Sequence, residues 1–194
     1  MDSQEINKFI KENVDKIYDE MVKVRRTIHE NPELGDEEFE TSKLIKRFLT
    51  ENGIEFFEVI NTGVVATIYN DKENMENKTV ATRADIDALP IFEENDVDYK
   101  SKNTGKMHAC GHDAHTTIQL GVAKVLAENK DKWHGTARFF FQPAEETSGG
   151  SDRMIKAGAL EFEKEKDKKI DAFFALHMAP EIELGKIGIK YGKA

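Results

Sequence analysis

A chain of 194 residues, 39% hydrophobic and 34% charged, is long enough to bury one sizeable core and too short for two full domains. Its 37 acidic residues outnumber the 28 basic ones, and the formal charge of -9 argues against a nucleic-acid or anionic-membrane surface. No signal-peptide pattern opens the sequence and no apolar stretch approaches membrane-spanning length, so a soluble, cytoplasmic protein without nucleic-acid or membrane partners is expected.

In chain order, Ile6, Ile10, Val14, Ile17, Met21, Val24 and Ile28 recur at three- and four-residue steps and predict one long amphipathic helix, ended by Pro32. Phe39, Leu44, Ile45, Phe48 and Leu49 mark a second helix that stops at Asn52-Gly53, and the two helices are expected to form one packed layer. Short β-rich runs follow at Phe56 to Ile60, Val64 to Tyr69 and Thr79 to Ala84. A helix carrying Ala114, Ile118, Val122, Val125 and Leu126 then precedes a strand from Thr136 to Phe141. A short helix ending near Gly158, a buried strand from Ile170 to Leu176 and one more strand from Gly185 to Tyr191 complete the pattern. Strands alternating with helices predict an α/β fold, a mixed β-sheet flanked by helices. The basic run Lys164 to Lys169 is interleaved with acids and reads as a solvated surface.

The reactive residues fall at or just beyond predicted strand ends, where open α/β sheets bind ligands. Met107 to His115 packs three His, one Cys and one Asp into nine positions ahead of a helix. Thiolate and imidazole both suit zinc and neighbouring metals, so Cys110 and His112 read as ligands rather than a buried structural pair. His108 and His115 read either as residues supporting that site or as ordinary satisfied polar groups. The apolar strand at Phe139 to Phe141 runs into adjacent Glu145 and Glu146. Neighbouring carboxylates need a cation or a shared proton, and one can bind metal while the other serves as general base; the plain alternative is a solvated pair. His177 is a ligand or a packed core residue. Asp85 and Asp87, at alternate positions, either cap a turn or support the site; Asp87 is the expected acceptor for the free ring N–H of a metal-binding His.

The blocks "RRTIHENPELGDEEFETSKLI", "TRADIDALPI", "KMHACGHDAHTT", "FFFQPAEETSGGSDRMIKAGAL" and "ALHM" resemble the metal-dependent aminoacylase and carboxypeptidase superfamily of peptidase M20 type. Within it they resemble the branch of hippurate hydrolases, indole-acetyl-amino-acid hydrolases and N-acetyl-diaminopimelate deacetylases. The resemblance implies a zinc-exopeptidase-like catalytic domain in which Cys110, His112, Glu146 and His177 hold two divalent metal ions and Glu145 activates the attacking water. Where other branches have a His-x-Asp pair, this chain has Asp85 and Asp87. Thiolate favours zinc, and the branch is also associated with manganese, nickel or cobalt.

Family members are longer, with an inserted lid and dimerisation domain followed by a return to the catalytic domain. The resemblance therefore implies, as an expectation, that residues 1–194 correspond to the N-terminal portion of the catalytic metallohydrolase domain, truncated, with the lid and dimerisation domain absent. The lid's oxyanion-stabilising His and one further ligand His have no counterpart here. The function expected is hydrolysis of the amide bond of an N-acyl amino acid or a related small, peptide-like amide. Two alternatives stand beside it: a metal-binding remnant completed by a second chain or not enzymatic at all, and a metal-free enzyme with Cys110 as nucleophile. Surface uncovered by truncation predicts association, as a homo-oligomer or with that second chain.

Overall fold

A computed structural model describes residues 2–162, 164 and 167–189. Asp2 opens α1 (Ser3–Glu30) with a reciprocal capping box: its carboxylate accepts from the N–H groups of Gln4 and Glu5, and Glu5 accepts from Asp2 N–H at 2.8 Å. Then follow α2 (Phe39–Glu51), β1 (Glu55–Val59), β2 (Gly63–Asn70), β3 (Thr79–Asp85), α3 (His112–Glu128), β4 (Gly135–Gln142), α4 (Gly150–Lys156) and β5 (Ala172–Ala175).

The strands form one sheet in the order β1-β2-β4-β3-β5. β1, β2 and β4 pair antiparallel, whereas β3 runs parallel to both β4 and β5, so the sheet is mixed. Parallel neighbours need a long crossover; α3 supplies it between β3 and β4. Strand alternation separates two apolar faces. Val64, Ala66 and Ile68 of β2 and Ala137, Phe139 and Phe141 of β4 meet Ile45, Phe48, Leu49, Leu120 and Ala123 on one face. Val65, Ala81 and Phe140 meet Val59, Met154 and Ala159 on the other. Each large side chain so buried contributes roughly 1.5–3 kcal/mol. α2 lies on β1 and β2, and α1 packs chiefly along α3 rather than pairing with α2 as the sequence suggested.

On the second face Arg138 is fully buried, yet its guanidinium is supplied with acceptors: Nη2 donates to Ala159 O (2.9 Å) and Glu161 O (2.6 Å). It also lies 4.2 Å from the Phe162 ring centroid. A buried cation is thereby used to tie the segment after α4 onto the sheet.

Two expectations need correction. The strand expected over Ile170 to Leu176 is a four-residue edge strand, and it is not buried: Phe173 is 51% and Phe174 60% exposed. β5 pairs with β3 alone, so among the described residues its outer edge has no strand partner, although Phe173 rests on Phe140 with ring centroids 5.4 Å apart. Gly185–Tyr191 is no strand over residues 185–189, and residues 190 and 191 lie outside those described.

The parallel register aligns Asp85 of β3 with Gln142 of β4, and Arg83 with Ala175 of β5. The carboxyl ends of all three strands therefore share one edge. α3, which returns the chain from that edge, begins there too.

Candidate metal centre

Four segments converge on this edge. β3 ends in Asp85 and continues to Asp87, both 1% exposed. Cys110 precedes Gly111, which caps α3 at φ +90°, a conformation that favours glycine. A Cβ at Gly111 would also meet Met178 Cγ at 2.8 Å, so both backbone angle and close approach require its absence. His112 is the first residue of α3, and β4 leads through Pro143 and Ala144 to Glu145 and Glu146. β5 delivers His177 and Met178.

The candidate ligands named from sequence are brought together. Cys110 Sγ lies 3.4 Å from His177 Nε2, and His112 Nε2 lies 3.8 Å from Glu146 Oε1. Cys110, His112 and His177 each bring a donor atom within 4.8 Å of the others, and so do His112, Glu145 and Glu146. The two groups overlap at His112. Both imidazoles are oriented by backbone carbonyls at Nδ1: His112 to Asp87 O at 2.9 Å and His177 to Met178 O at 2.6 Å. With Nδ1–H donating in each, the Nε2 lone pairs face the cluster. His177 is exposed, so it is no packed core residue.

Electrostatics follow from crowding. Burial alone would push His112 down, but its bond to Asp87 and the charges of Asp85 and Asp87 outweigh burial and raise it. Burial would raise Asp85 and Asp87; hydrogen bonds from His115 and His112 respectively, with nearby positive charge, hold both below the usual carboxylate range. Cys110 is pushed up to about 12 by burial and by the adjacent Glu146, Asp85 and Glu145. Burial and these carboxylates outweigh the lowering that a helix N-terminus such as the start of α3 gives a neighbouring thiol.

Do these residues suit a metal? Among the described residues, buried His112 Nε2 has no hydrogen-bond partner, while buried Asp85 Oδ2 meets Arg83 Nη1 at 2.7 Å and Asp87 Oδ1 meets only the His112 ring, at 3.3 Å. Buried polar atoms are nearly always satisfied, so an unpaired imidazole nitrogen facing a thiol, a second imidazole and two glutamates fits divalent cations. The donor set is mixed, with sulfur, imidazole nitrogen and carboxylate oxygen all present.

Asp87 touches His112 chiefly through its main-chain carbonyl, its Oδ1 being farther at 3.3 Å; its Oδ2 accepts Glu146 N–H at 2.9 Å. Asp85 instead accepts from His115 Nδ1 at 2.6 Å, and His115 Nε2 accepts Met178 N–H at 2.8 Å. His115 thus bridges Asp85 to the chain beside His177. That bridge was left open by sequence, although the three-residue step from His112 already sets both rings on one helix face. Arg83 was missed: its Nη1 lies 2.7 Å from Asp85 Oδ2 and its Nη2 3.9 Å from Glu145 Oε1. An Arg two residues before a strand-end Asp is the signal that would have found it. His108, 4% exposed, contacts the cluster only through its neighbours and is driven down to about 4 by burial.

Known proteins resemble this chain in sequence and in fold. The chain is 47% identical over 178 residues to IAA-amino acid hydrolase ILR1-like 2 of Arabidopsis thaliana, covering 91% of this chain and 38% of that protein. It is 43% identical over 181 residues to N-acetyl-L-cysteine deacetylase of Bacillus subtilis, covering 93% and 41% respectively. Among solved structures, the YXEP protein of Bacillus subtilis, described as a dinuclear metal binding peptidase from the M20 family, superposes with a TM-score of 0.80. That match has 40% identity and covers 91% of this chain and 47% of the other. The chain spans about two fifths of the length of the curated relatives it matches. Residues 81–193, more than half of the chain and including every candidate ligand, match the model of Peptidase family M20/M25/M40, and the chain belongs to that family.

Proposed function

We propose that residues 1–194 form the N-terminal portion of the catalytic domain of a metal-dependent amidohydrolase that cleaves the amide of an N-acyl amino acid or a similar small amide. The observation that carries this reading is the convergence, from four separate segments, of Cys110, His112, Glu146 and His177 beside Glu145, with His112 Nε2 buried and unpaired. Cys110, His112, Glu146 and His177 would hold two divalent cations, and Asp85 and Asp87 would orient the ligands around them. Bound cations supply Lewis acidity towards the scissile carbonyl and an attacking water.

The chain's own part is then proton handling and orientation. Glu145, whose side chain is 38% exposed, reaches solvent while its neighbour Glu146 turns towards His112. It takes the proton from the attacking water and delivers it to the departing amine. Arg83 lies between Asp85 and Glu145, bonding the first at 2.7 Å and placing positive charge 3.9 Å from the second. The relatives are named for hydrolysing an IAA-amino acid and for deacetylating N-acetyl-L-cysteine, and an amino acid carrying an acyl group is the substrate class proposed here. Thiolate with imidazole favours zinc, and the carboxylates also admit manganese, nickel or cobalt. No helix of the described residues is long and apolar enough to cross a membrane, and a single free cysteine suits the cytoplasm, the proposed location.

The test is metal analysis together with hydrolysis of a panel of N-acyl amino acids. Two equivalents of bound metal are expected, and Glu145→Gln is expected to abolish hydrolysis while leaving the metal in place; turnover retained by E145Q overturns the assignment. The exposed His177 and the unpaired outer edge of β5 favour a second reading, in which the isolated chain binds metal but turns over only with a second chain or copy completing the site. Metal bound without hydrolysis, with activity restored by the remaining segment of a longer relative, is the outcome expected from it.

A further inference from the structure

The loop carrying Glu145 and Glu146 begins with a conformational oddity. Ala144 adopts φ +52°, the left-handed region that non-glycine residues enter only when their surroundings hold them there. Its N–H donates to Glu38 Oε1 at 2.8 Å, across 106 residues of sequence. Glu38 precedes α2 but makes no side-chain cap to that helix. It is fully buried, its other oxygen accepts from Thr62 Oγ1 at 2.7 Å, and among the described residues no Lys, Arg or His forms an ion pair with it.

The neighbours of Glu38 hold the same loop. A Cβ on Gly35 would lie 2.4 Å from Thr147 Oγ1 and 3.0 Å from Ala144 Cα, so the two backbones are in direct contact. Asp36 receives both ends of the Arg153 guanidinium, at 2.6 and 2.8 Å, and Ser148 Oγ at 2.9 Å. On the opposite side of the turn, Asp87 Oδ2 accepts Glu146 N–H. Glu145 is thus flanked by two amides, each pinned by a buried carboxylate.

We infer that Glu38 is a positioning residue for the metal and catalytic loop: by holding Ala144 N–H in the left-handed turn, it sets the directions in which Glu145 and Glu146 leave β4. The inference rests on the metal-centre reading for its affinity readout alone. A carboxylate in this place orders a backbone turn before any ligand arrives, and less ordering is then left to occur on binding.

The test uses the full chain and the variants Glu38→Ala, Glu38→Gln and Glu146→Ala, with Zn²⁺ as the probe. In the metal-free chain, amide hydrogen exchange at Ala144 and Glu146 is expected to speed up about tenfold or more in E38A while α1 and α3 keep their protection. E38Q keeps an oxygen for Ala144 N–H and an amide donor for Thr62 Oγ, so it is expected to restore the protection. In Zn²⁺ titrations, E38A should weaken binding by about 10–100-fold, the range for groups that orient ligands. E38Q should stay within a few-fold of wild type, and E38A should add little in the E146A background.

Unchanged exchange in a folded E38A, or an equal affinity loss with and without Glu146, overturns the inference. So does E38Q matching E38A. Failure of the wild-type chain to bind Zn²⁺ would instead overturn the metal-centre reading, and the exchange data would still decide the role of Glu38. Where E38A does not fold, Glu38→Asp, which withdraws the carboxylate while keeping it buried, takes its place with the same expectations.

Discussion

Cys110 shows how a residue's neighbours decide its chemistry. A cysteine nucleophile needs a nearby cation to favour thiolate, but burial, together with the negative charge of Glu146, Asp85 and Glu145, pushes this thiol up to about 12. Without metal the thiolate fraction at pH 8 is therefore on the order of 10⁻⁴. Iodoacetamide is expected to modify Cys110 in the metal-free chain orders of magnitude more slowly than free cysteine, with a rate rising about tenfold per pH unit from 7 to 9. Rapid modification at pH 7 would restore the metal-free nucleophile alternative. Residues such as Cys110, His112, Glu145 and Glu146 were legible because they sit together in short stretches of sequence. Glu38 and the His115 bridge were not, since their partners lie 106, 30 and 63 residues away and only folding reveals them.

At the scale of elements, His29 at the end of α1 latches the start of α3 and the stretch after β3. Its Nδ1 lies 2.7 Å from Asp113 Oδ2 and its Nε2 2.9 Å from Glu93 Oε1, with side chains 5%, 0% and 1% exposed. Arg25 Nε joins Asp113 at 2.7 Å. The bond to Asp113 raises His29 against burial, while both carboxylates are lowered against burial by their bonds to His29. A raised histidine stabilises fully below its unfolded pKa of about 6.5 and loses that contribution as pH climbs through the folded value. The lowered carboxylates stabilise above about pH 4.5 and lose it as pH falls. Denaturant unfolding of the metal-free chain should therefore show greatest stability from the latch between these limits, declining on the alkaline side. His29→Gln is expected to destabilise by about 3–5 kcal/mol at pH 6, since buried Glu93 loses its cation and Asp113 keeps only Arg25, and to reduce the alkaline decline, leaving what His112 and, at higher pH, Cys110 contribute. An unaltered pH profile in H29Q would refute the latch. Helix and strand positions were readable from periodicity, but an apolar run such as Ala172–Leu176 cannot report how many neighbours it has, which is why β5 was expected to be buried and is an exposed edge.

For the molecule as a whole, four carboxylates crowd one sheet edge of a chain already carrying a formal charge of -9. Asp85, Asp87, Glu145 and Glu146 repel one another in the native state and separate when the chain unfolds, so cations bound there stabilise the fold by mass action. At metal concentrations about 100 times the dissociation constant the gain is about 2.7 kcal/mol, which for a domain of this size corresponds to a rise in Tm of roughly 5–10 °C. Chelation should reverse it. Binding must also displace protons from the raised Cys110 thiol and the raised His112, so affinity is expected to weaken as pH falls and proton release to appear in calorimetry as a buffer-dependent heat. Cys110→Ala should shrink both the Tm rise and the proton release, because it removes one ligand and one displaced proton together. A Tm indifferent to Zn²⁺, Mn²⁺ and chelator at pH 8 would mean that the clustered donors of this edge hold no cation in solution.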